Sequence, residues 1–126
     1  MELPKGHGGP MSITLQPGLQ ACRAARRFVY YAADQWLGQA RLADVLTVVT
    51  EFVANASAHA HTPMVLNLVP RGDHVLVELY DGCDEVPVRR ETSGAEAGLG
   101  LRIVAGVATR WGVDQRDGGK VVWAEV

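Results

Sequence analysis

The sequence predicts an α+β fold in which one sheet is covered by helices on a single face. Two features predict it. Two long segments repeat their apolar residues at helical spacing, and four shorter apolar or alternating segments fall into two pairs joined by glycine-containing turns. The predicted order is β-α-α-β-β-loop-α-β-β, without an internal repeat. A chain of 126 residues suits one domain, which we expect over residues 11–126, after a flexible tail of residues 1–10.

The first half of the chain is predicted to hold a short strand, over residues 11–15, and two helices. Pro17 suits the start of the first helix, where its missing N–H is not needed, and Gly38 suits its end. A second helix is predicted over residues 41–60, before Pro63. The apolar positions of the first helix recur at helical spacing: Leu19, Cys22, Ala25, Val29, Ala32 and Trp36.

The second half is predicted to hold two hairpins, a long loop and a short helix. Residues 81–97 show no periodicity, and loops of this length in a compact domain are usually functional or disordered. Gly98 is predicted to open a helix that ends near Val107. The hairpins join these predicted strands: residues 64–69 with 74–80, and residues 109–115 with 120–125.

Composition excludes several classes of protein. Twelve basic and fourteen acidic residues give a net charge of −2, so the chain has no general attraction to nucleic acid or an anionic membrane. No apolar run approaches the roughly 20 residues that span a bilayer, and the first ten residues lack the apolar middle of a signal peptide. The two cysteines, Cys22 and Cys83, make no disulfide framework, so we expect a cytoplasmic protein.

A polar stripe runs along the second predicted helix. Glu51, Asn55 and His59 are four residues apart, so they share one face beside an apolar one. Burying such groups without partners costs roughly 2–7 kcal/mol, and a bound cation with its waters would supply partners. Magnesium prefers oxygen ligands and keeps several waters, and Glu51 could also act as a general base. A structural role is an equal alternative for Glu51 and Asn55 and the favoured one for His59.

Two further segments carry candidate site residues. Asp81 ends an alternating strand and could accept a hydrogen bond from an adenine amine, or could simply open a turn before Gly82. Gly98 and Gly100 precede an apolar helix, where phosphate oxygens could reach backbone N–H groups, although a flexible loop end is the alternative. Three arginines could reach phosphates from the loop or the helix: Arg89, Arg90 and Arg102.

Taken in order, these segments resemble the motifs of the GHKL superfamily, which includes DNA gyrase, histidine kinases and mismatch-repair ATPases. The run from Glu51 to Ala60 looks like its N box, Asp81 lies where its first glycine box begins, and Gly98-x-Gly100 matches its second. The closer resemblance, over nearly all of residues 11–126, is to the stand-alone anti-sigma-factor serine kinases of actinobacteria. That resemblance also includes the following segments: Pro87, Gly98-Leu-Gly-Leu-Arg-Ile-Val104, Arg110-Trp-Gly-Val113 and Gly119-Lys-Val-Val-Trp123.

The resemblance implies a two-layer α/β sandwich of the Bergerat ATP-binding type, with a mixed, mostly antiparallel sheet. It implies ATP and Mg²⁺ as cofactors, Glu51 as the catalytic glutamate, Asn55 as the metal ligand and Asp81 as the adenine-binding carboxylate. Gly98, Gly100 and Leu101 would bind the nucleotide through the phosphate-facing segment. The implied partners are a sigma factor and an anti-sigma-factor antagonist, phosphorylated on serine, with a homodimer possible and no direct contact to nucleic acid or membrane.

The chain departs from these motifs at three positions. Cys83 and Glu85 replace glycines of the usual Asp-x-Gly-x-Gly, and Val121 stands where the family often has threonine after Gly-Lys. An alternative is therefore a non-catalytic nucleotide-sensing or partner-binding module on the same fold. A metal-dependent hydrolase using Glu51, His59 and His61 is a weaker alternative, because histidines two residues apart on a helix do not face one site.

Overall fold

A computed structural model describes residues 9–59, 61–82 and 94–126, with only the backbone described for 94–100. Within these residues the chain forms five strands and three helices in the predicted order. Their bounds are as follows: β1 Met11–Leu15, α1 Ala21–Gln35, α2 Gln39–His59, β2 Met64–Arg71, β3 His74–Asp81, α3 Gly94–Val107, β4 Arg110–Arg116 and β5 Gly119–Glu125.

The five strands form one sheet in the order β1-β2-β3-β5-β4, and every pair in the described residues is antiparallel. The predicted α+β class is confirmed, and within the described residues the sheet is antiparallel throughout and not mixed. The central pair, β3 and β5, aligns the last residue of β3, Asp81, with Lys120 near the start of β5. The connection between β4 and β5 is a tight turn at Asp117 and Gly118, both with positive φ. The strand pairing places the start of β5 beside the end of β3.

Alternation of side chains along the strands places the core between the sheet and the helices. Along β3, every second residue is buried and its neighbours are half-buried. The helices α1 and α2 bury aromatic and β-branched residues against that face. Each fully buried large apolar side chain contributes about 1.5–3 kcal/mol to the stability of the fold. The largest fully buried side chains include the following: Phe28, Met64, Leu66, Leu68, Leu79, Val45 and Val77.

The start of α1 differs from the prediction at Leu19. This side chain is 99% exposed, because the chain turns at Gly18, with φ +128°, and enters the helix only at Ala21. The N–H of Ala21 donates to the carbonyl of Gly18 at 3.1 Å. Leu19 therefore lies outside the helical register that its spacing suggested. At the other end of α1, the Trp36 indole N–H donates to Met11 Sδ at 3.2 Å and ties the helix to β1.

The start of α3 also differs. The helix begins at Gly94, so Gly98 and Gly100 lie inside it and do not open it. The alternating alanines and leucines of residues 95–101 are strong helix formers and outweigh the two glycines. The loop predicted over residues 81–97 is therefore too long: Asp81 ends β3 and residues 94–97 belong to α3, while residues 83–93 lie outside the described residues. None of the helices in the described part of the chain has the length and apolar composition that crossing a membrane requires.

Candidate functional site

Asp81 is the most deeply buried charged residue of the described fold. It ends β3 on the face that meets the helices and has no exposed surface. Its Oδ1 accepts a hydrogen bond from the ammonium of Lys120 at 3.2 Å, and the two side chains are 0% and 7% exposed. A buried carboxylate needs a compensating charge or hydrogen bonds. Lys120 supplies the charge from the neighbouring strand.

A close approach of β5 to β3 places this ion pair. At Gly119, a Cβ atom would lie 2.4 Å from the backbone oxygen of Asp81 and 2.8 Å from the hydroxyl of Tyr80. Only glycine fits there without moving a strand. The close contact brings Lys120 beside Asp81 at the end of the sheet.

The chain leaving Asp81 is held by the connection between α2 and β2. The backbone N–H of Gly82 donates to Thr62 Oγ1 at 2.9 Å. A Cβ at Gly82 would meet that same oxygen at 3.0 Å, tighter than ordinary van der Waals contact. The first turn after β3 is therefore fixed against the segment that follows α2.

The polar stripe of α2 lies on an accessible part of the helix. Glu51 and Asn55 are half-buried, and His59 is exposed near the helix end. The neighbouring Ala54 and Ala58 are also exposed, so small methyl groups border the stripe and leave room for a ligand to approach it. The helix that carries the stripe, α2, contacts both β3, which ends at Asp81, and α3, which contains the glycine pair.

Glu51 also acts electrostatically on α1. Burial raises the pKa of the Cys22 thiol, the Arg26 guanidinium opposes that rise, and the Glu51 carboxylate adds to it. The Glu51 carboxylate and the Arg26 guanidinium thus act in opposite directions on the Cys22 thiol.

The remaining predicted residues lie in α3, which packs on α2. Leu101 is 4% exposed and anchors this helix in the interior, while Arg102 is exposed. Gly98 and Gly100 lie in its backbone, one and two turns from Gly94. Several predicted residues lie outside the described ones: Cys83, Glu85, Pro87, Arg89 and Arg90. Among the described residues, no three histidine, cysteine or acidic side chains cluster closely enough to hold a metal ion.

Sequence reasoning missed Lys120 and did not predict the face of the sheet on which Val121 lies. The strand register puts Val121 opposite Tyr80, on the face of the sheet away from the helices, and puts Lys120 opposite Asp81 on the inner face. The substitution at Val121 therefore lies on the wrong face to contact Asp81. Alternation along β5, anchored by its buried residues, was the signal that could have identified Lys120.

The open face of the sheet carries a shallow depression of about 210 Å³, lined by Arg71, Trp123 and neighbouring residues. None of the predicted site residues lines it. Polar and charged groups from four strands, β2 to β5, border it, including the ion pair between Arg110 and Glu125. We place the candidate site on the helix side of the sheet, because Asp81 is buried on that face and α2, which carries the polar stripe, packs against β3.

Comparison with known proteins shows a match to one family model and similarity of fold to a solved structure. The model of the histidine kinase-like ATPase domain matches residues 15–126. The crystal structure of the RsbU and RsbW domains of Rv1364c from Mycobacterium tuberculosis superimposes with a TM-score of 0.68 at 20% identity, over 92% of this chain. The chain spans 31% of that protein's length. No curated protein sequence shows significant similarity to the chain.

Proposed function

Because the chain belongs to the histidine kinase-like ATPase domain family, we propose that it is an ATP- and Mg²⁺-binding regulatory protein of the anti-sigma serine-kinase type. It phosphorylates a serine on an anti-sigma-factor antagonist and also binds a sigma factor. The observation that carries the proposal is the fully buried Asp81 carboxylate, held at the end of β3 beside the helix that presents Glu51 and Asn55. That arrangement agrees with the roles that the sequence resemblance implies.

The donor set fits a nucleotide with its metal. Asp81 offers carboxylate oxygens in a water-poor setting, where a hydrogen bond from an adenine amine is strong. Asn55 offers a neutral oxygen on an accessible helix face, as suits a magnesium ion whose other ligands are phosphate oxygens and water. Bound magnesium would screen the phosphate charge.

In this proposal Glu51 acts as the general base, a role that its half-buried carboxylate on α2 supports chemically. It accepts the proton of the substrate serine hydroxyl while the serine oxygen forms a bond to the γ-phosphorus. The bond from that phosphorus to the bridging oxygen of ADP breaks, and ADP leaves with the electron pair. Phosphoryl transfer of this kind depends on positioning and electrostatics, which a rigid helix provides.

Calorimetric titration with ATP and Mg²⁺ tests the binding step. The wild-type protein should release or absorb binding heat, Asp81→Asn should abolish it, and Asp114→Asn should retain it. Asp114 is the matched control because it is an exposed carboxylate on the open face of the sheet. Absence of binding heat at millimolar nucleotide in folded wild-type protein would overturn the proposal.

The alternative function is a non-catalytic nucleotide-sensing or partner-binding module, favoured by the two glycines replaced at Cys83 and Glu85. Radiolabel transfer from [γ-³²P]ATP to an anti-sigma-factor antagonist distinguishes the two functions. The kinase predicts transfer that Glu51→Gln removes and Glu78→Gln preserves, since Glu78 is a half-buried carboxylate on the open face. ATP binding without transfer to any antagonist encoded in the same genome would favour the module.

A further inference from the structure

The pairing of Lys120 with Asp81 puts a hydrogen-bond donor beside the acceptor that is proposed to recognise the base. The two residues are register partners across β3 and β5, and both project toward the helices. Nζ lies 3.2 Å from Oδ1. An ammonium has three N–H donors and a carboxylate about four lone-pair sites. Each group can therefore bind the other and still contact a ligand.

Burial keeps Lys120 at this position when a ligand arrives. Its side chain is 7% exposed, and the carboxylate that compensates its charge is not exposed at all. A base that displaced the ammonium would leave a buried, uncompensated charge, which is strongly unfavourable. A base that shares Asp81 with Lys120 avoids this penalty.

Adenine has the complementary pattern. Its amine N6 is a donor, and the adjacent ring nitrogen N7 is an acceptor, whereas guanine presents two acceptors, N7 and O6, along the same edge. The other edge of adenine likewise places the acceptor N1 beside the amine. An acceptor and a donor side by side in the protein match either edge of adenine.

We propose that Lys120 determines base specificity by donating a hydrogen bond to the adenine ring nitrogen beside the amine that Asp81 accepts. The proposal rests on the proposed function, because it assumes that ATP binds at Asp81. Lys120 on β5 would then be the second residue that contacts the base, whereas Val121 points to the other face of the sheet.

Combining variants of Lys120 with nucleotide analogues tests the proposed hydrogen bond. Affinities for ATP, 1-deaza-ATP and 7-deaza-ATP are measured by calorimetry on the wild-type protein, Lys120→Met and Val121→Thr. Lys120→Met should weaken ATP binding about tenfold or more, in line with a lost hydrogen bond to a charged group. The deaza analogue that lacks the nitrogen contacted by Lys120 should bind wild type about tenfold more weakly than ATP. Its affinity should not fall further in Lys120→Met, because the hydrogen bond is already absent. Val121→Thr should bind ATP like wild type.

Three outcomes overturn the proposal while leaving ATP binding intact. Lys120→Met could bind ATP as tightly as wild type, could bind it more tightly, as expected if Lys120 blocks the site, or could weaken all three nucleotides by the same factor. Failure of wild type to bind ATP overturns the proposed function instead, and this inference with it. If Lys120→Met does not fold, Lys120→Thr carries the same comparison, because threonine is three bonds shorter than lysine and removes the ammonium donor while keeping a polar group beside Asp81.

Discussion

Asp81 and Lys120 are the charged side chains that the described part of the fold buries. A buried ion pair is weak support for stability, because well-packed apolar residues in its place are often neutral or stabilising by about 1–4 kcal/mol. The pair lies at the end of β3, where the chain leaves the sheet, and not in the middle of the core. Its position therefore agrees better with a binding role than with a packing role.

The charge of Glu51 can be measured through Cys22. Because the carboxylate raises the pKa of the Cys22 thiol and Arg26 lowers it, Glu51→Gln should lower that pKa and Arg26→Ala should raise it. The thiolate is the reactive form, so Glu51→Gln should speed alkylation at a given pH. The rate of iodoacetamide reaction against pH, in a Cys83→Ser background, measures the shift.

Glu78→Gln is the control for this measurement, because Glu78 lies on the opposite face of the sheet. It should leave the alkylation profile unchanged. An unaltered profile in Glu51→Gln would contradict the influence of the Glu51 carboxylate on the Cys22 thiol.

The variant Asn55→Ala distinguishes binding of the metal ion from binding of the adenine base. Asn55→Ala should weaken ATP binding at least about tenfold in the presence of Mg²⁺ and have little effect in EDTA, because the amide oxygen is proposed to bind only the metal. Asn67→Ala is the matched control, since Asn67 is equally half-buried but lies on the open face of β2. Equal losses with and without Mg²⁺ would contradict the metal-ligand role.

At the scale of elements, the start of β5 is the critical contact. Gly119→Ala places a methyl group 2.4 Å from the backbone oxygen of Asp81, and a backbone atom cannot move aside as a flexible side chain can. We expect a loss of about 1–3 kcal/mol in the free energy of unfolding, together with weaker ATP binding, because the ends of β3 and β5 separate. The urea midpoint at constant slope measures the loss.

Gly106→Ala provides the control for that measurement. Gly106 lies in the last turn of α3, and a Cβ there would meet nothing within 4 Å. Its stability should stay the same or rise slightly, because alanine favours the helix over glycine. If both glycine variants unfold at the wild-type urea concentration, the close approach at Gly119 is not what fixes Asp81.

The elements show where sequence reasoning succeeds and where it stops. Periodicity predicted the order of all eight elements because strong alternation and helical spacing are local properties. It misjudged Leu19, where a single turn at Gly18 shifts the register, and the start of α3, where glycines were read as a helix boundary. It missed the contacts of Lys120 and Thr62, since these depend on strand pairing between distant segments.

In the part of the chain that the structure describes, the helices pack on one face of the sheet. Residues of the candidate site come from α2, β3 and α3, and all three elements contribute to the same interior. A ligand that contacts all of them is coupled to unfolding of the entire core, because small single domains usually unfold cooperatively. Nucleotide binding should therefore be visible in global stability.

Thermal unfolding with and without nucleotide measures this coupling. At a free Mg²⁺–ATP concentration 100 times the dissociation constant, linkage predicts about 2.7 kcal/mol of added stability. For a domain of this size, that corresponds to a rise in Tm of roughly 10 °C. Asp114→Asn should show the same rise and Asp81→Asn none. A rise that persists in Asp81→Asn would mean that the nucleotide binds away from the end of β3, since only a site that includes Asp81 loses its ligand when that carboxylate is replaced.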